Sequence, residues 1–443
     1  MGMQQPLMTR RAMIGALGIG AAGRLSGLAA ASFALPRMAW ASAAAQGRYA
    51  HVTQMIEGYV GSGKLPGMIA ALGWGTDAPP DHIARGALAR GENAPPMAMD
   101  TLFRIYSMTK PITGMAAMML VDEGKLRLDQ PVADLIPAYA TMKVQAVPDG
   151  SITDLRPART LITVRHLLTH TSGLGYSIIQ RGPIKDAFVR AGLVPGQYSR
   201  FTLPGIDPFE PIHGLARFAE VLATMPLVYE PGTVWSYSVG LDLLGRLIEI
   251  VSGQPFDRFL EERLFRPCGM ASTGFFVPRG EAARLASNYA VLGGMLVPID
   301  PGHSSIFLDP PPSPFGGAGL VSTPRDYDRF LRMLLGRGRI DGRQVMSEAA
   351  VLMGTSNLLP EGADTTRSFI RGNGFGAGGS VGLGEDAGTF GWAGAAGTVG
   401  FINARVGLRA GLYTQYMPAE AYAVHTEFPK AVRADVMAGK VAA

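Results

Sequence analysis

Apolar positions recur at helical spacing through the first two-thirds of this chain and at strand spacing near its end. Val52, Met55, Ile56 and Tyr59 make one face of a helix over 49–58, and a nearly unbroken apolar run at 67–74 reads as a buried strand. Strand-like stretches follow at 82–88 and 101–105. Beyond Ser107, Ile112, Met115, Ala116, Met119 and Leu120 form a buried helical stripe that Gly124 ends, with Pro111 tolerated only in the first turn. A short helix is expected over 132–136. Thr163 is placed to cap another that runs to His170 and ends at Thr171 to Leu174. Leu241, Leu244, Ile248 and Val251 line a helix that opens after Tyr237 and stops at Gly253; further helices are expected over 256–265 and 326–335. The period then changes. Residues 375–383, 388–395, 397–404 and 408–417 read as strands of an antiparallel meander, closed by a helix over 429–437.

This order predicts an α/β (α+β) fold in which the two ends of the chain share one antiparallel sheet flanked by helices. A helical lobe would be inserted between them, with lobes at about 44–115 plus 290–443 and at about 116–289. Residues 176–212, rich in Gly, Pro and mixed polar groups, suit a long insertion over a site.

Composition sharpens this in four places. With 443 residues, 47% of them hydrophobic, the chain can bury one large or two ordinary cores. The first 43 residues carry Arg10-Arg11 ahead of a Gly- and Ala-rich apolar run, with Ala41-Ser42-Ala43 as a small-residue cleavage site. Arg24 interrupts that run before it reaches the ~18 apolar residues of a membrane span, so a twin-arginine export signal is expected, with a periplasmic or secreted product and no stable membrane anchor. Four of the formal +5 charges are Arg10, Arg11, Arg24 and Arg37, which leaves the rest of the chain near +1. There is no basic stripe with interleaved aromatics, so nucleic acid is not an expected partner. Cys268 is the single cysteine, which excludes an internal disulfide and a thiolate metal cluster.

Ser107 and Lys110 lie one turn apart at the start of an apolar helix, where free N–H groups favour negative charge. A nucleophilic serine needs such a place and a nearby base; a capping serine followed by a surface lysine has the same spacing. Several other patterns point less far. Gly58 to Leu65 approaches a phosphate-binding loop but lacks the Ser or Thr after its lysine and runs from helix to strand. His166 and His170 have a metal-ligand spacing without a third ligand, so capping or packing is expected of them. Gly378-Gly379-Ser380-Val381-Gly382 matches a hydrolase elbow motif but lies among strands, so Ser380 is expected to be structural.

Two more segments supply what acyl transfer requires. Tyr237 precedes a helix N-terminus, and Gly391-Trp392-Ala393-Gly394-Ala395 is a Gly-rich strand whose backbone can approach a substrate closely. With Arg104 to Gly114 and Arg165 to Leu174, they give the chain a resemblance to the penicillin-recognising serine hydrolases, specifically the class C β-lactamase-like group and, within it, the family VIII carboxylesterases. The resemblance runs over roughly residues 49 to 420. It implies Ser107 as acylated nucleophile, Lys110 as the base that is neutral when it takes the serine proton, and Tyr237 as partner base and proton shuttle. It also implies an oxyanion hole from the backbone N–H groups of Ser107 and Ala395, a substrate site at Trp392, Gly394 and Val239, and no metal or organic cofactor. Where the β-lactamases have Tyr-Xaa-Asn and Lys-Thr-Gly, this chain has Tyr237-Ser238-Val239 and Trp392-Ala393-Gly394. An aromatic in place of the cation suits a neutral small-molecule ester better than an anionic lactam. β-Lactamase, D-amino-acid peptidase or amidase activity, transacylation, and a non-catalytic cell-wall binding role are the alternatives on the same fold.

Overall fold

The computed structural model describes residues 47–201 and 209–439; the expected export signal and part of the 176–212 insertion lie outside the described residues. One seven-stranded antiparallel sheet forms the frame. Its strands are β1 (Gly67–Trp74), β2 (Asp81–Gly86), β3 (Gly374–Phe375), β4 (Ser380–Val381), β5 (Thr389–Gly394), β6 (Thr398–Asn403) and β7 (Leu408–Tyr413), in the order β3-β4-β5-β6-β7-β1-β2. β7 pairs with β1 from Ile69 opposite Tyr413 to Trp74 opposite Leu408, so the two ends of the chain do share a sheet.

Alternation along β1 and β7 separates two cores. Met68, Ala70, Leu72, Ala410 and Leu412 face a layer made by α1 (Ala50–Gly61) and a C-terminal helix at Val424–Met437, whereas Ile69 and Tyr413 face the larger core. That larger core contains α2 (Thr109–Asp122), α3 (Val164–Leu168), α4 (Gly240–Ser252) and α5 (Pro324–Leu335). The C-terminal helix is labelled α6. Every residue of α2 from Thr109 to Leu120 is buried, so it runs through the core rather than presenting one stripe to it. It also spans residue 115, the expected edge of the first lobe.

Other differences have local causes. The run at 375–383 is two short strands, because Gly378 takes φ +74° and turns the chain back. Leu408 to Met417 likewise divides, with Tyr416–Met417 leaving the large sheet to pair in parallel with Asn288–Leu292. That segment forms a hairpin with Met295–Asp300 which the periodicity did not announce. α6 begins five residues before Pro429 and contains it. Burial of Val424, Phe428 and Val432, and the Asp435 carboxylate that accepts from His51 N–H (2.9 Å) and Val52 N–H (3.1 Å), outweigh the lost backbone bond. No helix among the described residues is long and apolar enough to cross a membrane.

Candidate active site

Ser107 lies in a single 3-10 turn, Tyr106–Met108, that leads directly into α2. The chain reaches it through Phe103–Arg104, which pairs with Val321–Ser322, and through Ile105 N–H donating to Leu320 O at 3.0 Å. Tyr106 has φ +40°, a conformation that costs a non-glycine residue about 1–3 kcal/mol. It is held there by burial, by Tyr198 stacked on its ring at 6.1 Å and by Phe307 edge-on at 6.2 Å. The strained residue thus sits immediately before the serine.

Lys110, on the next turn, is 1% exposed. Its Nζ donates to Gly317 O at 2.6 Å and to Ser107 Oγ at 3.3 Å, and lies 4.5 Å from the centre of the Tyr237 ring. The 316–317 peptide that precedes this carbonyl is itself fixed at both ends. Asp242 of α4 accepts from Gly317 N–H at 2.9 Å, and Thr113 of α2 donates its hydroxyl to Gly316 O at 2.7 Å. Burial pushes the Asp242 carboxyl up to about 6, against the opposing pull of the Lys110 charge. The turn between β3 and β4 closes over the helix start: a Cβ on Gly378 would meet Lys110 O at 2.3 Å, and one on Gly114 would meet Ala377 O at 2.1 Å.

Tyr237 enters the site from the loop ahead of α4 and sits in a box of aromatic rings. His170 is 4.6 Å away between centroids, Phe369 5.6 Å, Tyr176 5.8 Å, Trp392 5.9 Å and Trp235 6.1 Å. Its hydroxyl oxygen accepts from Trp392 Nε1 at 3.2 Å. Ser238 N–H donates to His170 Nδ1 at 3.2 Å, which puts the ring proton on Nε2. Burial first, and the Lys110 charge second, hold His170 well below its ordinary value, so a neutral imidazole faces the tyrosine. His166 takes the other role open to it: with Thr163 it completes a capping box on α3.

The end of β5 completes the arrangement. A Cβ on Gly394 would meet Ile105 O and Thr398 Oγ1, each at 2.3 Å, so only glycine lets this strand end lie so close to the serine turn. Ala395, the next residue, packs against the cluster that contains Tyr106. Ser107, Lys110, Tyr237, Trp392, Gly394 and Ala395 are therefore brought together from three distant segments. Val239 differs: it is 0% exposed and caps α4 within the core, so its side chain offers no surface to a ligand. Ser380 pairs with Gly391 on β4 and is followed by a 3-10 turn, not a helix. Asp242, Thr113, Gly317, Phe369 and Tyr176 were not singled out by the sequence; the only signal was a carboxylate inside the apolar run Leu241 to Leu244.

Residues 52–432 match the family model described as Beta-lactamase. The chain belongs to that family. Among curated relatives of the β-lactamase family, esterase EstB of Burkholderia gladioli is 32% identical over 353 residues, covering 74% of this chain and 80% of EstB. The lovastatin esterase of Penicillium rubens is 31% identical, over 70% of this chain and 74% of that enzyme. EstCE1, described as a hydrolase with promiscuous acyltransferase activity, superposes with a TM-score of 0.69 at 25% identity, over 89% of this chain and all (100%) of its own.

Proposed function

We propose that this β-lactamase-family protein hydrolyses neutral carboxylic esters through an acyl-Ser107 intermediate. The observation that carries this reading is the buried Lys110 amine 3.3 Å from Ser107 Oγ and 4.5 Å from the centre of the Tyr237 ring, whose hydroxyl accepts from the Trp392 indole. The esterases among its relatives support the same reading.

In the first half-reaction Ser107 Oγ attacks the ester carbonyl while the Lys110 amine takes the hydroxyl proton. The Gly317 carbonyl, held by Asp242 and Thr113 through its peptide neighbours, keeps the amine aimed. The oxyanion is received by the N–H groups of Ser107 and Ala395; losing one such donor typically costs about 3 kcal/mol. The C–O bond of the ester breaks, Tyr237 relays the proton to the departing alkoxide, and water then cleaves the acyl-enzyme by the reverse sequence. Where a lactamase of this family would place a lysine against a carboxylate, Trp392 presents an aromatic surface continued by Phe369, which is 64% exposed. An anionic substrate gains nothing there and an uncharged acyl or alkyl group does.

Residues 44–443 form a single catalytic domain in this reading, and residues 1–43 direct its export in folded form. A paired assay tests the chemistry: a short-chain nitrophenyl ester and a chromogenic cephalosporin, each with wild type and Ser107→Ala. Ester turnover that depends on Ser107 and exceeds cephalosporin turnover is expected. Ester turnover that survives Ser107→Ala removes the nucleophile from this account, and cephalosporin turnover that dominates makes the protein a lactamase.

A further inference from the structure

The Gly394 carbonyl has two donors. One is the N–H of Gly397 at 3.1 Å, which closes the turn from β5 to β6. The other is His425 Nε2, also at 3.1 Å, which reaches in from the second residue of α6. A carbonyl can only accept, so His425 carries its proton on Nε2 in this contact. The turn requires only the first of these bonds. The second ties the strand end to a helix on the far side of the sheet.

That far side is firmly built. α6 is anchored to α1 by the Asp435 carboxylate, which accepts from His51 and Val52 N–H, and by Tyr59 Oη donating to Glu427 at 2.7 Å. Phe428 packs edge-on against Phe401 of β6 at 6.0 Å. α1 and α6 share one core layer, while Ile105 and Met108, which flank the serine, belong to the core on the other face.

The Gly394 carbonyl and the Ala395 N–H are the two ends of one peptide unit. The only cis bond among the described residues is Met417–Pro418, so this unit is trans and its two groups point in opposite directions. A carbonyl drawn toward α6 therefore turns the Ala395 N–H toward the face that holds Ser107. We propose that His425 is a positioning residue for the oxyanion site: its hydrogen bond to Gly394 O sets the plane of the 394–395 peptide and polarises it, so that the Ala395 N–H is aimed before substrate arrives. The proposal rests on the reading of Ser107 and Ala395 given above. It adds a residue from the last helix, distant from the substrate, to the machinery of the transition state.

The test compares wild type with His425→Leu and His425→Gln, whose amide nitrogen can occupy the place of Nε2. Ser107→Ala is run in parallel, and thermal melting checks that each variant is folded. For His425→Leu we expect kcat for a nitrophenyl ester to fall about 10-fold, less than the 10²–10³ typical of a deleted donor, with KM changed by less than about 2-fold. Binding of a boronic acid, which forms a tetrahedral adduct on the serine, should weaken by the same factor. His425→Gln should recover most of both losses. A folded Leu variant with wild-type kcat, or one in which KM alone rises, overturns the role of His425; so does a Gln variant no better than Leu. In those cases loss of activity in Ser107→Ala leaves the acyl-enzyme reading standing. Activity that survives Ser107→Ala removes that reading, and this proposal with it.

Discussion

Gly394→Ala probes the contact on which the candidate oxyanion site depends. The backbone conformation at 394 is open to any residue; the space is not. An added methyl would lie 2.3 Å from Ile105 O and 2.3 Å from Thr398 Oγ1, whereas ordinary contact begins near 3.4 Å, so the strand end must retreat by about 1 Å. Ile105 is fixed by its bond to Leu320 O, and Thr398 is paired with residue 394 in the sheet, so the β5 terminus is the part that yields. A displacement of about 1 Å between reacting groups can cost 10²-fold in rate. Overpacking of a well-filled site costs about 1–3 kcal/mol of stability. The expected outcome is a kcat lowered about 100-fold, a KM within a few-fold of wild type, and a modestly lower melting temperature. Gly58→Ala is the control: it lies within α1 with nothing inside 4 Å of the new methyl, and should leave kcat unchanged. A Gly394→Ala enzyme with kcat within 3-fold of wild type would refute the argument from crowding.

Three further outcomes follow from the same geometry. Lys110→Met should lower kcat/KM by about 10²–10⁴, and Lys110→Arg should not restore it, because a guanidinium cannot give up its proton; an active Arg variant would show that charge, not basicity, is what matters. Burial raises Asp242 to about 6 from 3.8, so the native state holds that proton more tightly than the unfolded chain. Its share of stability is therefore present below pH 4 and is lost as pH rises toward 6, and the melting difference between Asp242→Asn and wild type should shift in favour of Asn over that window; a difference independent of pH would show that Asp242 does not titrate there. Trp392→Lys should move preference toward anionic esters, read as a ratio of kcat/KM values for matched neutral and carboxylate-bearing substrates, and an unchanged ratio would remove Trp392 from the account of selectivity.

What could be read from the sequence was what depends on neighbours along the chain. The Thr163 cap, the Gly253 stop and the apolar run behind Ser107 are local patterns, and each reappears in the structure. The closing helix is expected only from 429, and it begins at Val424, because nothing near it in sequence announces that His51 and Val52 anchor the other end of α6. The Asn288–Asp300 hairpin went unseen for a similar reason: its strands are half-exposed, and one is stabilised by pairing with Tyr416–Met417, far away in sequence. The site divides in the same manner. Ser107 and Lys110 carry their own spacing, whereas Asp242 and His170 owe their roles to what the folded chain places opposite them.

β1 lies between β2 and β7, and its partner on one side is among the last strands to be synthesised. Until Leu408–Tyr413 has been made and inserted, one edge of an apolar strand has no partner, and the last glycine strand has no place beside the serine. A chain stopped after residue 237 and before residue 408 would hold Ser107, Lys110 and Tyr237 yet have an open, adhesive edge, prone to pairing with other copies. Activity thus arrives only once Leu408–Tyr413 has joined the sheet, and products truncated before it should be found as aggregates rather than as weak enzymes.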